Sequence, residues 1–173
     1  MHYQVLSIFC LCGLTLACQR PDPIRLQPTL EEPAVIMSRI RIADPSTSSQ
    51  LLRGFYPLEA NTWRWTGPRF AVELGVPPKA LENGAALVVK LHLPDISIQK
   101  LKKITLNARV GALALSPQMY STAGELEYRR SVPAAAFTEN SIEADFTLDR
   151  FLSMEGDPRQ LGVVVTEVGL EPK

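Results

Sequence analysis

Within residues 54–65, GFYPLEANTWRW, the chain places Phe55, Tyr56, Trp63 and Trp65 beside Glu59 and Arg64. These residue types suit recognition better than bond cleavage. An indole or phenol ring stacks on the apolar C–H face of a sugar, while a carboxylate and a guanidinium hydrogen-bond its hydroxyls. If TWRWT is extended, Trp63 and Trp65 project to one side of a strand and Arg64 to the other. Two arrangements follow. Either both indoles are core and Arg64 faces solvent within reach of Glu59, or the strand lies at an edge and both rings stay partly open. The aliphatic content of the flanking strands, which needs large partners, favours the core arrangement. Phe55 and Tyr56 are consecutive and must divide between the two faces, so one of them is expected at a surface. The candidate ligand-binding set is therefore Phe55, Tyr56, Glu59, Trp63, Arg64 and Trp65.

Catalytic chemistry has fewer footholds. After Cys18 the only histidine is His92, placed by alternation on the polar face of a strand beside Lys90. General-base chemistry needs a nucleophile and an orienting carboxylate converging on such a ring. No G-x-S-x-G, H-E-x-x-H or phosphate-binding glycine loop occurs. Glu125 with Glu127, and Glu143 with Asp145, put two acids on one side of a strand, as a glycosidase would need. Alternation on a solvated face produces the same pairs without any function. Asp149, Glu155 and Asp157 crowd one loop and offer oxygens to calcium, but Asp157-Pro158 reads more simply as a turn. No catalytic residue, metal site or cofactor is assigned, and the protein is read as a non-enzyme. Eighteen Lys and Arg balance eighteen Asp and Glu, so overall charge draws the chain to neither nucleic acid nor an anionic membrane surface.

The elements that hold these residues begin after a leader. The run VLSIFCLCGLTLAC (5–18) is uncharged and apolar, as in a signal peptide. It is too short to span a membrane, which takes a helix of about 20 residues. Its end, Leu14-Thr15-Leu16-Ala17-Cys18, resembles the lipobox of bacterial lipoproteins. That resemblance implies cleavage before Cys18, diacylglycerol on its thiol and, with Gln19 next, delivery to the outer membrane. An ordinary secretory signal or an uncleaved anchor is the alternative. No cysteine lies beyond Cys18, so the exported part has no disulfide and no thiol nucleophile. Residues 19–33 hold Pro21, Pro23, Pro28 and Pro33 and read as an extended tether.

From residue 34 the pattern has period two. Ile36, Ile40 and Ile42 share one face; so do Phe70, Val72 and Leu74; Leu87, Val89, Leu91 and Leu93; Ile104, Leu106, Ala108 and Val110; and Ile142, Ala144, Phe146 and Leu148. Residues 161–168 are more continuously apolar, as in a central strand. Pro77-Pro78, Glu82-Asn83-Gly84 and Gly156-Asp157-Pro158 mark turns, and 97–103 has room for one helical turn. Half-buried strands at this spacing predict an all-β protein, a single antiparallel β-sandwich over 34–173 behind a signal peptide (1–17) and a lipidated tether (18–33).

Two separated stretches then carry a family resemblance. Gly54-Phe55-Tyr56-Pro57-Leu58-Glu59, Arg64-Trp65-Thr66 and the strand Phe70–Leu74, with Asp157-Pro158-Arg159-Gln160-Leu161-Gly162 and its valine strand, resemble the carbohydrate-binding-like β-sandwich found beside bacterial glycosyltransferases and in stand-alone exported proteins. The resemblance implies a jelly roll, a non-catalytic domain and an association with glycans. From the residues alone, Gly54 permits close strand approach, and Arg159 pairs with Glu59 or Asp157 to hold a loop. The expected protein is an envelope lipoprotein recognising glycan or polysaccharide; the alternative is an assembly lipoprotein that binds another envelope protein. Cys18→Ser should abolish labelling by a lipid precursor and leave the leader uncleaved by the lipoprotein peptidase. Normal processing of the variant would identify an ordinary signal peptide.

Overall fold

The computed structural model describes residues 35–173; Cys18, the leader and the tether lie outside the described residues. The strands are β1 (Arg39–Arg41), β2 (Leu51–Phe55), β3 (Arg64–Gly75), β4 (Ala85–Leu93), β5 (Ile104–Val110), β6 (Leu113–Tyr120), β7 (Gly124–Val132), β8 (Ser141–Leu148), β9 (Leu152–Met154), β10 (Asp157–Leu161) and β11 (Val164–Pro172), and alternating apolar and polar residues mark β3, β4, β5 and β8 most clearly. Two short helices, α1 (Pro78–Asn83) and α2 (Asp95–Leu101), bracket β4.

All the pairings are antiparallel. One layer runs β1-β11-β4-β7 and the other β2-β3-β8-β5-β6, and they pack face to face as a β-sandwich of jelly-roll type. At its first residues β3 leaves its own layer, so that Arg64 pairs with Val165 and Trp65 with Val164 of β11. β9 and β10 form a separate hairpin.

The core fills from both layers. The Phe70 and Phe146 rings stack with centroids 4.8 Å apart and planes 14° from parallel. Phe55 meets Phe70 edge-on at 5.6 Å. Both are geometries that aromatic quadrupoles favour. Opposite them, Leu87, Val89 and Leu91 of β4 and Val165, Val168 and Leu170 of β11 are buried in the same cluster. Val165 and Val168 both point inward although three residues apart, because Thr166 is an extra residue bulged out of the β11–β4 register. At the β6–β7 corner the fully buried Tyr128 donates its hydroxyl to the Ser116 carbonyl. Arg130 lies 4.8 Å over that ring and donates to the Ser116 and Pro117 carbonyls.

Several local expectations change. Pro77-Pro78, expected as a turn, instead opens α1, because a proline at the first helical position needs no N–H partner and already has helical φ. The helical turn expected over 97–103 is α2, two residues earlier. Gly156 turns the chain, but Asp157-Pro158 already belongs to β10. Ile36 does not share the buried face of Ile40 and Ile42; it is 37% exposed and precedes β1.

Close approach explains two glycines. Gly54 has φ +77°, and a Cβ there would run into the Arg69 carbonyl and the Phe70 backbone. Only glycine takes that conformation without strain. At Gly162 a Cβ would meet the Gly67 carbonyl at 2.6 Å and Thr66 Oγ1 at 2.7 Å. That second contact marks a clasp. Thr66, fully buried, donates its N–H to the Val163 carbonyl at 2.8 Å, and its Oγ1 accepts the Val163 N–H at 3.1 Å; Gly162 N–H donates to the Thr66 carbonyl at 2.7 Å. Thr66→Val keeps the shape and orphans a buried N–H, so it should cost about 1–3 kcal/mol of folding stability. Urea unfolding measures it, and a loss below about 0.5 kcal/mol, the size of an ordinary surface substitution, would show that the clasp is dispensable.

Candidate functional site

Register, rather than any local motif, assembles the site. On the outer face of the β11 layer, Glu125 of β7 lies opposite His92 of β4, His92 opposite Val164 of β11, and Val164 opposite Trp65 of β3. Four adjacent strands thus present one continuous row, about 14 Å across at ordinary strand spacing. Trp63, two residues before Trp65, extends the same face. Glu59 bridges back to Trp63 through a tight loop with Ala60 and Asn61 at φ 46° and 53°. The result is a cleft of about 470 Å³ lined by Glu59, Thr62, Trp63, Trp65, His92, Pro94, Glu125, Val164 and Thr166.

Both tryptophans are therefore half-buried walls of a cleft, not core, and the arrangement favoured by composition is corrected. The reason is the departure of β3 from its own layer. Where it pairs with β11, its inward position is Arg64, at the mouth of the sandwich, and there a guanidinium can cap backbone: Nε donates to the Ile42 carbonyl at 3.4 Å and NH1 to the Tyr56 carbonyl at 3.1 Å. Arg64 accordingly neither faces solvent nor pairs with Glu59. The large core partners come instead from Phe70, Phe146 and Tyr128.

The other candidates divide. Phe55 packs on Phe70 and belongs to the core side. Tyr56 is half-buried, its hydroxyl accepting the Gln160 N–H at 3.1 Å and its ring lying 5.4 Å beneath the Arg159 guanidinium. Glu59 lines the cleft and receives Arg159 NH1 at 2.7 Å. Arg159 also grips Asp157 through Nε and NH2, at 3.0 and 2.8 Å. Of the six, then, Glu59, Trp63 and Trp65 reach the cleft, while Phe55, Tyr56 and Arg64 support it from behind.

His92, Glu125, Thr62, Val164 and Thr166 were not among the expected site residues. Alternation placed His92 on a polar face, but nothing local couples it to Glu125, 33 positions away. Its Nδ1 lies 2.9 Å from Glu125 Oε1. An ionised carboxylate only accepts, so Nδ1 is the donor in this contact.

The other acids are engaged elsewhere. Arg53 bridges Glu143 and Asp145, Arg129 bridges Glu127 and Glu171, and Asp149 accepts the Thr105 N–H at 2.6 Å. A larger hollow of about 660 Å³ lies where the β5–β6 turn meets the β7–β8 connection, against Val110, Leu113, Pro133, Ala136 and Ile142. Among the described residues, no aromatic ring or histidine lines it, so it offers neither a stacking surface nor a set of converging donors.

The hydrogen bonds from Arg159, chiefly from its side chain, hold the Asp157 carboxyl below the usual range, and Asp157 and Glu59 together raise the Arg159 guanidinium. A carboxyl depressed in the folded state contributes stability above its unfolded pKa and loses it as acid protonates the group. Arg159→Gln should therefore lower stability at neutral pH, with a deficit that shrinks between about pH 5 and pH 3. Urea titrations of both proteins across that range check the coupling. A deficit that did not change with pH would mean that the Asp157 carboxylate is not held by Arg159.

No protein-family model matches the chain, and no curated protein does. Among solved structures it is similar to part of a family GH115 4-O-methyl-α-glucuronidase with specificity for decorated arabinogalactans, at TM-score 0.49 and 9% identity. That match covers 80% of this chain, which spans 18% of the enzyme. It is also similar to TmCBM27, a carbohydrate-binding module with specific mannan recognition (TM-score 0.47, 10% identity, 80% of this chain and 98% of that one). A CBM4 structure matches at TM-score 0.35 and 9% identity, over 78% of this chain and 85% of the other.

Proposed function

We propose that this protein is a non-catalytic glycan-recognition domain whose binding surface is the Trp63–Trp65 cleft, held at the cell envelope by a lipid on Cys18. One observation carries the reading. Two indoles on the same face of one strand are left half-buried, where they wall a concave surface whose other members include hydroxyls, carboxylates and an imidazole. Stacking on ring faces with a few fixed polar groups is how a protein holds a sugar ring. The preformed register makes the floor rigid, so little ordering entropy is lost on binding.

Each carboxylate in the cleft already has a partner, Arg159 for Glu59 and His92 for Glu125. Such groups suit hydrogen bonding to hydroxyls. The Phe55, Tyr56 and Arg64 side chains act in this reading by holding the strand that carries the indoles, not by contact with ligand.

The chain contains two tryptophans, and both wall the cleft, so tryptophan emission, excited where tyrosine does not absorb, reports on this site. Titration with neutral manno-, cello- and N-acetylglucosamine oligomers should give saturable quenching by at least one. Trp63→Ala and Trp65→Ala should each weaken that binding by about tenfold or more. Since neither ring is core, both variants should stay folded and lose less than the about 3–5 kcal/mol typical of a deleted buried aromatic. A flat response from the folded protein to every oligomer would overturn the reading.

A further inference from the structure

The cleft's charge is lopsided. Among the described residues that line it are two carboxylates and no lysine or arginine. Glu59 is compensated by Arg159 at 2.7 Å. Glu125 has no such cation among the described residues: its side chain is 76% exposed, and its partner is the imidazole of His92. A neutral imidazole donates a proton to a hydrogen bond without bringing a charge.

The lysine and arginine nearest Glu125 in the register are already committed, and the exposed Arg41 lies on β1, three strands from Glu125. Lys90, one position along β4 from Leu91, donates to Glu167 at 3.1 Å, and Arg129 is shared between Glu127 and Glu171 at 2.8 and 2.7 Å. One end of the aromatic floor therefore carries a carboxylate that no described lysine or arginine pairs with, and the indole faces themselves attract positive charge through their ring quadrupoles. Both features favour a ligand cation and disfavour a ligand anion.

We infer that the glycan taken by this cleft carries a free amine, as in a hexosamine without its N-acetyl group, and that uronate and sulfate sugars are rejected. This rests on the glycan reading above and names the class within it. The ammonium sits at the Glu125 end of the row, on the carboxylate, while the rest of the chain stacks toward Trp63 and Trp65 at the other end. His92 has a second role in this arrangement. Its Nδ1, 2.9 Å from Glu125 Oε1, holds the carboxylate in place at the edge of the cleft.

The test uses three probes of equal length at neutral pH: a glucosamine oligomer, the matching N-acetylglucosamine oligomer and a galacturonate oligomer, each followed by tryptophan fluorescence. The glucosamine oligomer should bind about fivefold tighter than its N-acetylated counterpart at low salt. Galacturonate should bind weaker than either. Glu125→Gln should bring the glucosamine and N-acetylglucosamine affinities within about twofold of each other, and raising the salt should do the same to the unaltered protein because an exposed pair is screened. Equal or tighter binding of the N-acetylated or galacturonate oligomer overturns the amine inference and leaves glycan recognition standing. A preference for glucosamine that survives both Glu125→Gln and high salt also overturns it, since the charge at Glu125 would not be the cause. Absence of binding by all three, with the neutral manno- and cello-oligomers also silent, removes both readings together.

Discussion

The clasp between Thr66 and Gly162-Val163 is the constraint on which the rest of the molecule depends. It joins backbone 97 residues apart in the chain, and it uses every polar group that Thr66 has. Gly162 must lack a Cβ for the strands to come this close, and Thr66 must supply a hydroxyl that both donates to and accepts from Val163. A buried segment with unsatisfied amides would be costly. The clasp satisfies them at the very point where β3 passes from one layer of the sandwich to the other. Arg159 adds a second, wetter fastening alongside by joining Asp157 to Glu59 and covering Tyr56. The stretches 54–66 and 157–163 are therefore the two halves of one fastening.

From that fastening the cleft follows. Holding β3 against β11 forces Arg64 inward and Trp65 outward, in register with Val164 and through it with His92 and Glu125. The inward arginine is tolerable because it lies at the mouth of the sandwich, where the Ile42 and Tyr56 carbonyls accept its protons. Further along the same strand the usual rule returns, with Phe70, Val72 and Leu74 buried. One strand thus serves a binding surface at its start and the core at its end.

Elsewhere the charged residues pair with one another. Arg39, Lys90, Arg129, Glu127, Glu167 and Glu171 form a connected set across the outer face of the β11 layer, and Arg53 joins Glu143 to Asp145 on the other layer. Individual exposed pairs of this kind contribute little to stability. Their consequence is that Glu127, Glu143 and Asp145 each meet an arginine, whereas Glu125, at the edge of the aromatic floor, meets only an imidazole.

The amino-acid sequence is legible chiefly in its local patterns. Period-two alternation identified β3, β4, β5 and β8 and named the buried face of each, from Phe70–Leu74 to Ile142–Leu148, because burial on one side of a sheet imposes that period directly. Strands whose alternation is short or interrupted, such as β9 and β10, gave no comparable signal. The same alternation put His92 on a polar face and both tryptophans on one side of their strand. Whether that side was core or cleft was decided only by the tertiary structure, because the answer depends on which strand lies next to Trp65. Pairing register is non-local: nothing in the neighbourhood of Glu125, His92, Val164 or Trp65 encodes that the four form a row. Only the closed sandwich, with β3 crossing to β11 at Thr66, brings them together.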